Sequence, residues 1–248
     1  MERGGRRAVH EQTRARFWNL TVIDRLDTGS TLRSPPADEQ TDSPARSLPL
    51  MARLADRHPG GAPGPWYVDT RCIDCDAARH VAPGLIVRNP TDGVSLFVRQ
   101  PETAEEIEMA WRAVEVCPTR SVGHETLRRP AHRVFPHDLG DGVYRLGHNS
   151  ENSFGAHSYL VQRTVDRQPM NLMIDSPRWT RDVYEPVAEL GGVQHVLLTH
   201  RDDVADAERY AQHFGACVWI HADDRDAAPY ADRIIETGDA VEIVPEVI

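Results

Sequence analysis

Apolar residues recur in short runs along one part of the sequence, and turn residues separate these runs. Three runs predict short strands, at residues 66–69, 94–98 and 121–123. Between the last two runs, apolar residues recur at spacings of three and four, as on one buried helical face: Ile107, Ala110, Trp111 and Val114. Thr103 and Glu106 form a capping box where this helix begins. The pattern therefore predicts a small α+β domain over residues 66–125.

A different pattern follows from residue 132 onward. Strand-like runs come first, at residues 143–146, 158–161 and 171–175. A helical stretch with Val183 and Val187 on one side contains Pro186, which predicts a kink or two short pieces. Two further strands are predicted on either side of an amphipathic helix, at residues 195–199 and 217–220. Antiparallel strands followed by strand–helix–strand units predict a layered α/β domain over residues 132–248.

The composition excludes several classes of protein. The 248-residue chain is 40% hydrophobic, which provides enough apolar material for a folded core. No run approaches the ~18 consecutive apolar residues of a membrane helix, so we expect no membrane partner. All 28 basic residues are Arg, and a net charge of −10 argues against a nucleic-acid partner. Because the sequence shows no secretory signal pattern, we expect a cytoplasmic protein.

Residues 1–60 differ from the rest of the chain in composition. Arg, Ser, Pro and Asp are abundant there, and hydrophobic periodicity is brief. Such segments bury too little apolar surface to fold, so we expect a disordered or poorly ordered extension. Met51 is an alternative start of the protein.

Three of the four cysteines form a pattern that indicates metal or redox chemistry. Cys72 and Cys75 are separated by two residues, and Cys117 is followed by Pro118. Four cysteines are too few for a disulfide scaffold at this length. Thiolates are soft ligands, and two of them in one turn can bind iron or zinc. Cys217 lies in an apolar run and is interpreted as a core residue.

Residues 66–124 resemble single-cluster ferredoxin domains. Their cluster loop reads C-x2-C-x2-C-x3-C-P, and Cys72 and Cys75 match its first two positions. Cys117-Pro118 matches the remote Cys-Pro, but Ala78 and Ala82 occupy the third and fourth positions. The resemblance implies an iron–sulfur cluster, either 3Fe-4S or a 4Fe-4S cluster with an outside ligand. A fourth ligand from His80 or Asp76, a metal-free remnant and a two-thiol zinc or redox site are the alternatives.

A second constellation follows the predicted strand at residues 195–199. It reads Thr-His-Arg-Asp-Asp-Val-Ala-Asp-Ala over residues 199–207. It resembles the loop of metallo-β-lactamase superfamily members that carry an N-terminal ferredoxin-like domain. Residues 152–160 and 174–178 provide further landmarks of that subgroup. The resemblance implies a ferredoxin-like domain followed by the N-terminal half of an αββα sandwich, with the chain truncated before the later metal ligands.

The resemblance also implies roles for individual residues of this loop. His200 matches a metal-binding His, and Asp206 matches an Asp that binds metal or orients water. Asp202 stands where the family has a second His, and Ala207 replaces the last one. We therefore expect zinc or iron held by His200, Asp202 and Asp206, with Asp206 as the catalytic residue. The alternative is that the carboxylates only favour the N-terminus of the following helix.

Two functions from different classes follow from these resemblances. The first is a metal-dependent hydrolase fused to an iron–sulfur domain, in which metal-activated water attacks a small-molecule substrate and the catalytic site is incomplete. The second is an iron–sulfur electron-transfer protein with a redox partner protein and a non-catalytic second domain. A third alternative is a binding module that has lost both metal sites. His148 and His157, which flank residues 153–155, are assigned no role.

Overall fold

The computed structural model describes residues 52–126, 129–238 and 241–243. The predicted start at Met51 and most of the predicted extension lie outside the described residues. Described residues up to Thr237 belong to one compact unit. Gly238 and residues 241–243 belong to a second unit, and residues 241–243 are without helix or strand. The larger unit has two hydrophobic cores, and the first includes Val134 and Phe135 from the start of the second predicted domain.

The first core is built from two short antiparallel strand pairs and two helices. In chain order these elements are β1 (Trp66–Val68), α1 (Ala77–Val81), β2 (Ile86–Arg88), β3 (Ser95–Phe97), α2 (Ala104–Val116) and β4 (Val122–His124). Strand β1 pairs antiparallel with β4, and β2 pairs antiparallel with β3. The capping box of Thr103 and Glu106 is present and begins α2 as predicted. Trp111 of α2 then packs edge-on against Trp66, with ring centroids 5.1 Å apart.

The first core extends further toward the N-terminus than the sequence predicts. The extension was expected to reach residue 60, but Leu54–Asp56 form a 3-10 turn and Arg57 bridges to Asp69. Asp69 is fully buried, and its carboxylate accepts the Arg53 N–H at 2.8 Å. A buried carboxylate needs such donors, so it fixes residues that composition alone marks as disordered.

The second core lies on one face of a mixed sheet. Within the described residues this sheet has seven strands: β5 (His137–Asp138), β6 (Val143–Arg145), β7 (Tyr159–Val161), β10 (Leu172–Ile174), β11 (His195–Leu197), β12 (Cys217–His221) and β13 (Arg233–Ile235). Strands β10 to β13 are parallel neighbours, and β10, β7, β6 and β5 continue the sheet with antiparallel pairs. A separate hairpin joins β8 (Thr164–Val165) to β9 (Gln168–Pro169).

Two helices cover this face of the sheet. Paired positions Leu160, Met173, Val196 and Val218 form a buried row across four strands. Helices α3 (Arg181–Glu189) and α4 (Ala207–Phe214) bury apolar residues in the same core. This layer of helices on a mixed sheet is the α/β arrangement that the sequence predicts. Among the described helices, none has the length and apolar content to cross a membrane.

Pro186 does not divide its helix into two short pieces, which was one of the two predicted outcomes. Helix α3 is continuous from Arg181 to Glu189, with Pro186 inside it and buried. The carbonyl of Pro186 still accepts the Leu190 N–H at 3.1 Å. The proline therefore removes one donor but adds buried apolar surface beside Val187, which the short helix tolerates.

The two cores are joined by buried and partly buried polar contacts. Arg129 lies between them, 2.5 Å from the Glu115 carboxylate of α2 and 2.7 Å from the Asp182 carboxylate of α3. His148 is also buried, with its Nε2 3.5 Å from Glu115. Burial raises the pKa of Glu115, although Arg129 opposes this shift. These contacts tie α2 to the start of the second core.

A loop of the second core also closes on the cysteines of the first. Residue 155 is glycine with φ +82°, and a Cβ added there would lie 2.7 Å from the Cys75 sulfur. The same Cβ would lie 3.2 Å from Cγ of Pro118. Only glycine permits this approach without displacing the cysteine loop.

We expect His148→Asn to make the stability of the chain less dependent on pH. Burial, followed by the charges of Arg178 and Arg129, lowers the pKa of His148 from 6.5 to about 3. The unfolded chain therefore binds a proton below pH 6.5 that the folded chain does not bind. This contribution to stability is fully present above pH 6.5 and is lost as the pH falls toward 3. The free energy of unfolding should fall more steeply on acidification in the wild type than in the variant.

The matched control is His132→Asn, because His132 is an exposed histidine near the same joint. Asparagine also tolerates the left-handed φ of 49° at residue 148. Denaturant unfolding measured in steps between pH 7 and about 4 gives both slopes. Identical slopes for the wild type and His148→Asn would contradict the assignment.

Gly155→Ala is expected to destabilise the chain more than Gly84→Ala. Gly84 has a similar φ of +76°, but nothing lies within 4 Å of a Cβ added there. Gly84→Ala therefore measures the backbone cost alone, about 1–2 kcal/mol. The contact with Cys75 adds a packing cost of about 1–3 kcal/mol to Gly155→Ala. Equal losses in the free energy of unfolding would show that the loop does not press on the cysteines.

Candidate functional site

Two of the predicted cluster cysteines lie in the loop between β1 and α1, and the third ends α2. Cys72 and Cys75 are partly buried and pack against the first core, and Cys117 is buried within it. Cys72 and Cys117 are close enough to raise the pKa of Cys75, and Cys72 also raises the pKa of Cys117. The structure therefore brings together the three cysteines that match the ferredoxin cluster motif in the sequence.

Two of the three sulfur atoms accept a backbone N–H. The Ser95 N–H donates to the Cys72 sulfur at 3.4 Å, and the Ser121 N–H donates to the Cys117 sulfur at 3.2 Å. At Cys75, the nearby Ala77 N–H favours a lower pKa of the thiol. Hydrogen bonds of this kind favour negative charge on sulfur, and they are one of the means by which a protein tunes a metal-bound thiolate.

Burial acts on the same thiols in the opposite direction. It raises the pKa of Cys75 to about 11, although the Ala77 N–H opposes the shift. Burial also raises the pKa of Cys117, against hydrogen bonds from Thr119 and Ser121. At neutral pH these thiols keep their protons unless a bound cation displaces them. The site therefore stabilises thiolates only when a cation is bound to the sulfur atoms.

The positions where a ferredoxin loop has its other ligands are part of the core. Ala78 and Ala82 are 7% and 0% exposed, and their methyl groups pack in the first core. His80 Nε2 lies 2.9 Å from the Asp76 carboxylate, and the His80 ring stacks on His157 at 5.5 Å. His80 and Asp76, the predicted substitute ligands, are thus paired with each other.

The donor set fits a cluster with three protein ligands. Among the described residues, no group of three or more His, Cys, Asp or Glu side chains is placed to hold one metal ion. A cluster contains several irons, so its cysteines lie farther apart than the ligands of a single ion. Three cysteines match the number of protein ligands of a 3Fe-4S cluster, or of a 4Fe-4S cluster with an outside ligand.

The loop that closes on Cys75 carries buried polar atoms without hydrogen-bond partners. In the described chain these include Nε2 of His148 and His157, Oδ1 of Asn149, and Oγ of Ser153 and Ser158. Burial and the charges of Arg145 and His80 lower the pKa of His157 to about 4, so this imidazole is neutral. The sequence analysis assigned no role to these histidines. The only indication of their place near the site was that they flank residues 153–155, which belong to a landmark of the family.

The second predicted site is only partly assembled. His200 Nδ1 accepts the Asp202 N–H at 3.2 Å and lies 3.5 Å from the Asp202 carboxylate. Both side chains are exposed. Asp206 precedes α4, and its carboxylate accepts the Trp179 N–H at 2.7 Å rather than capping the helix. The structure brings His200 and Asp202 together, but these two and Asp206 do not form a group that could hold one ion.

Asp175 is the residue near His200 that the sequence did not single out. Burial raises the pKa of Asp175 to about 6, against hydrogen bonds from the Thr199 N–H and hydroxyl, both at 2.8 Å. Asp203 raises the pKa of Asp175 further, and His200 lowers it. Asp175 lies in the landmark stretch 174–178, so the resemblance marked its neighbourhood but not its role.

A cavity of about 440 Å³ lies beside the cysteine loop. Its lining includes Pro118 and Thr119, which follow Cys117, and Asp206 of the second predicted site. The remaining lining residues are Arg53, Arg71, Arg120, Ser150, Glu151, Asn152 and Arg178. Asp206 therefore lines this cavity together with four arginines, whereas His200 and Asp202 are not among its lining residues.

Comparison with known families finds one match in the first core. Residues 68–124 match the family described as the 4Fe-4S single cluster domain of Ferredoxin I. No curated protein matches the chain.

Comparison with solved structures finds likenesses to metallo-β-lactamases. Native FEZ-1 metallo-β-lactamase from Legionella gormanii is 18% identical, with a TM-score of 0.34 over 46% of this chain and 51% of that chain. BJP-1, a subclass B3 enzyme of Bradyrhizobium japonicum, is 18% identical, with a TM-score of 0.30 over 42% and 44%. A β-lactamase domain protein from Burkholderia ambifaria is 14% identical, with a TM-score of 0.30 over 38% and 32%. The chain thus spans about half the length of these proteins, or less.

The family match confirms the ferredoxin resemblance that the cysteine pattern predicts. Over residues 68–124 the chain is similar to single-cluster 4Fe-4S ferredoxin domains, and the solved structures to which it is similar are metallo-β-lactamases.

Proposed function

We propose that this chain is an iron–sulfur electron-transfer protein in which Cys72, Cys75 and Cys117 hold the cluster. The observation that carries this proposal is that the three cysteines pack on one core and that a backbone N–H donates to the sulfur atoms of Cys72 and Cys117. An iron–sulfur cluster supplies one-electron transfer at a potential set by its ligands, its hydrogen bonds and its exposure. The family match over residues 68–124 supports the same function.

The residues around the sulfur atoms have separate tasks in this proposal. Ser95 and Ser121 stabilise thiolate charge through their N–H groups. The loop around Gly155 excludes water from one side of Cys75, because it packs directly on that sulfur. Cys72 and Cys75 remain partly exposed, which leaves a surface where a redox partner protein can approach. The second core thus acts as a scaffold that covers the site.

A second candidate function is metal-dependent hydrolysis near His200. The observations that favour it are that His200 lies 3.5 Å from the Asp202 carboxylate and that buried Asp175 is hydrogen-bonded to Thr199, the residue before His200. Imidazole and carboxylates are suitable ligands for a hydrolytic metal ion, which supplies activated water when bound. In this candidate Asp175 replaces the predicted ligand Asp206, whose carboxylate accepts the Trp179 N–H.

The electron-transfer proposal predicts iron and acid-labile sulfide in protein purified without oxygen. Cys72→Ser and Cys117→Ser should lose most of both, because each removes one of three thiolate ligands. Cys217→Ser is the matched control, since the partly buried Cys217 begins β12, outside the first core, and it should retain wild-type iron. Chemical iron and sulfide determination, with electron paramagnetic resonance before and after reduction, provides the measurement. Absence of iron and sulfide from the wild type would refute the proposal.

The hydrolase candidate predicts a divalent cation site that depends on His200. Mn²⁺ is a suitable probe because it prefers carboxylate and imidazole to thiolate, so it avoids the cysteines. We expect His200→Ala and Asp175→Asn to weaken Mn²⁺ binding about tenfold or more, which corresponds to about 1.4 kcal/mol each. Asp206→Asn should leave binding unchanged. Titration followed by electron paramagnetic resonance of free Mn²⁺ measures these affinities.

Exposed His132 provides the matched control, and His132→Ala should bind Mn²⁺ as the wild type does. Equal affinity in the wild type and His200→Ala would exclude the hydrolase candidate. Loss of binding in Asp206→Asn would instead restore the ligand set that the sequence predicts.

A further inference from the structure

The cavity beside the cysteine loop has an unusual charge for this protein. Four of its ten lining residues are Arg and two are carboxylates, although the whole chain has a net charge of −10. The arginines come from four separate places in the sequence: Arg53, Arg71, Arg120 and Arg178. These four guanidinium groups outnumber the two lining carboxylates, Glu151 and Asp206, so the cavity favours additional negative charge inside it.

Two of these arginines are tied to a buried carboxylate. Arg71 donates to the Asp69 carboxylate from Nε at 2.9 Å and from its terminal nitrogen at 2.6 Å. Arg71 also donates to the Arg120 carbonyl at 3.1 Å. The Arg53 N–H donates to the same carboxylate, while its side chain lies 3.7 Å from Asp56. These contacts place Arg53 and Arg71 but also neutralise part of their charge.

The other two arginines have no carboxylate within ion-pair distance among the described residues. Arg178 is fixed through its backbone, because its N–H donates to the His148 carbonyl at 2.9 Å and its carbonyl accepts the Tyr210 hydroxyl at 2.8 Å. Its Nε lies 3.5 Å from the same His148 carbonyl, a long contact. Arg120 follows the Cys117 turn with a left-handed φ of 55°. The Arg120 and Arg178 charges oppose each other across this region.

We propose that this cavity binds a small phosphate-bearing ligand, with Arg120 and Arg178 as its principal contacts. A phosphate group accepts hydrogen bonds from several directions, whereas a carboxylate accepts them near one plane, and the guanidinium groups here belong to separate segments. Ser150, Asn152 and Thr119 add polar groups that suit a hydroxylated remainder of the ligand. A cavity of about 440 Å³ accommodates a small molecule of this kind.

The phosphate-binding proposal does not depend on whether the electron-transfer proposal is correct. The cavity shares the loop after Cys117 with the cysteine site, but its arginines do not bind the cluster. Binding can therefore be measured on the full chain as purified, and iron content can be determined on the same sample. A sample without iron that still binds phosphate would refute only the electron-transfer proposal.

Calorimetric titration with inorganic phosphate tests the proposal. We expect saturable binding by the wild type, and acetate should bind at least tenfold more weakly. Arg120→Gln and Arg178→Gln should each weaken phosphate binding tenfold or more. Arg167→Gln is the matched control, because Arg167 is exposed, lies outside the cavity and also has a positive φ. Arg167→Gln changes the net charge by the same amount as the two cavity variants, and it should alter the affinity for phosphate less than twofold.

Either of two results would overturn the proposal. One is the absence of saturable heat in the wild type up to about 10 mM phosphate, because a dissociation constant above that concentration would not indicate a specific site. The other is an equal loss of affinity in Arg167→Gln, which would assign the binding to net charge. If Arg178→Gln fails to fold, Arg120→Gln decides the outcome, because its substitution leaves the backbone contacts of residue 120 in place.

Discussion

The cysteine site depends on a balance between burial and hydrogen bonding at sulfur. Burial against the first core raises the pKa of Cys75 and Cys117 and so opposes thiolate charge. Backbone N–H groups favour that charge, and they come from residues placed by the core itself, such as Ser95 at the start of β3 and Ser121 before β4. The packing that stabilises the domain and the chemistry of its sulfur atoms therefore share the same residues.

The second core completes this environment from the other side. Gly155 packs on Cys75, and Arg129 connects the Glu115 and Asp182 carboxylates between the cores. The covering loop buries several polar atoms without hydrogen-bond partners, and each of these carries a desolvation cost. One of these atoms, His148 Nε2, lies 3.5 Å from the Glu115 carboxylate, so it belongs to the contact between the two cores.

Local signals in the sequence predicted most of the helices and strands, whereas contacts between residues far apart in the sequence could not be predicted. The capping box of Thr103 and Glu106 and the apolar runs of the strands depend on near neighbours, so they were read correctly. The engagement of Asp206 by Trp179 joins residues far apart in sequence, and motif spacing cannot reveal it. The same limit applies to residues 52–60, whose order depends on the buried carboxylate of Asp69.

The two proposed sites are adjacent, and this has a thermodynamic consequence. Cys117 and Arg120 belong to one turn, and the charge of the Cys117 thiolate acts on Arg178. Negative charge on sulfur and a phosphate in the cavity therefore draw on the same guanidinium groups. A bound anion screens those positive charges, so it makes additional negative charge at the cysteines less favourable. If both proposals hold, linkage requires that reduction of the cluster weakens anion binding by the same free energy by which anion binding opposes reduction. Such a coupling would act through the charges of Cys117, Arg120 and Arg178.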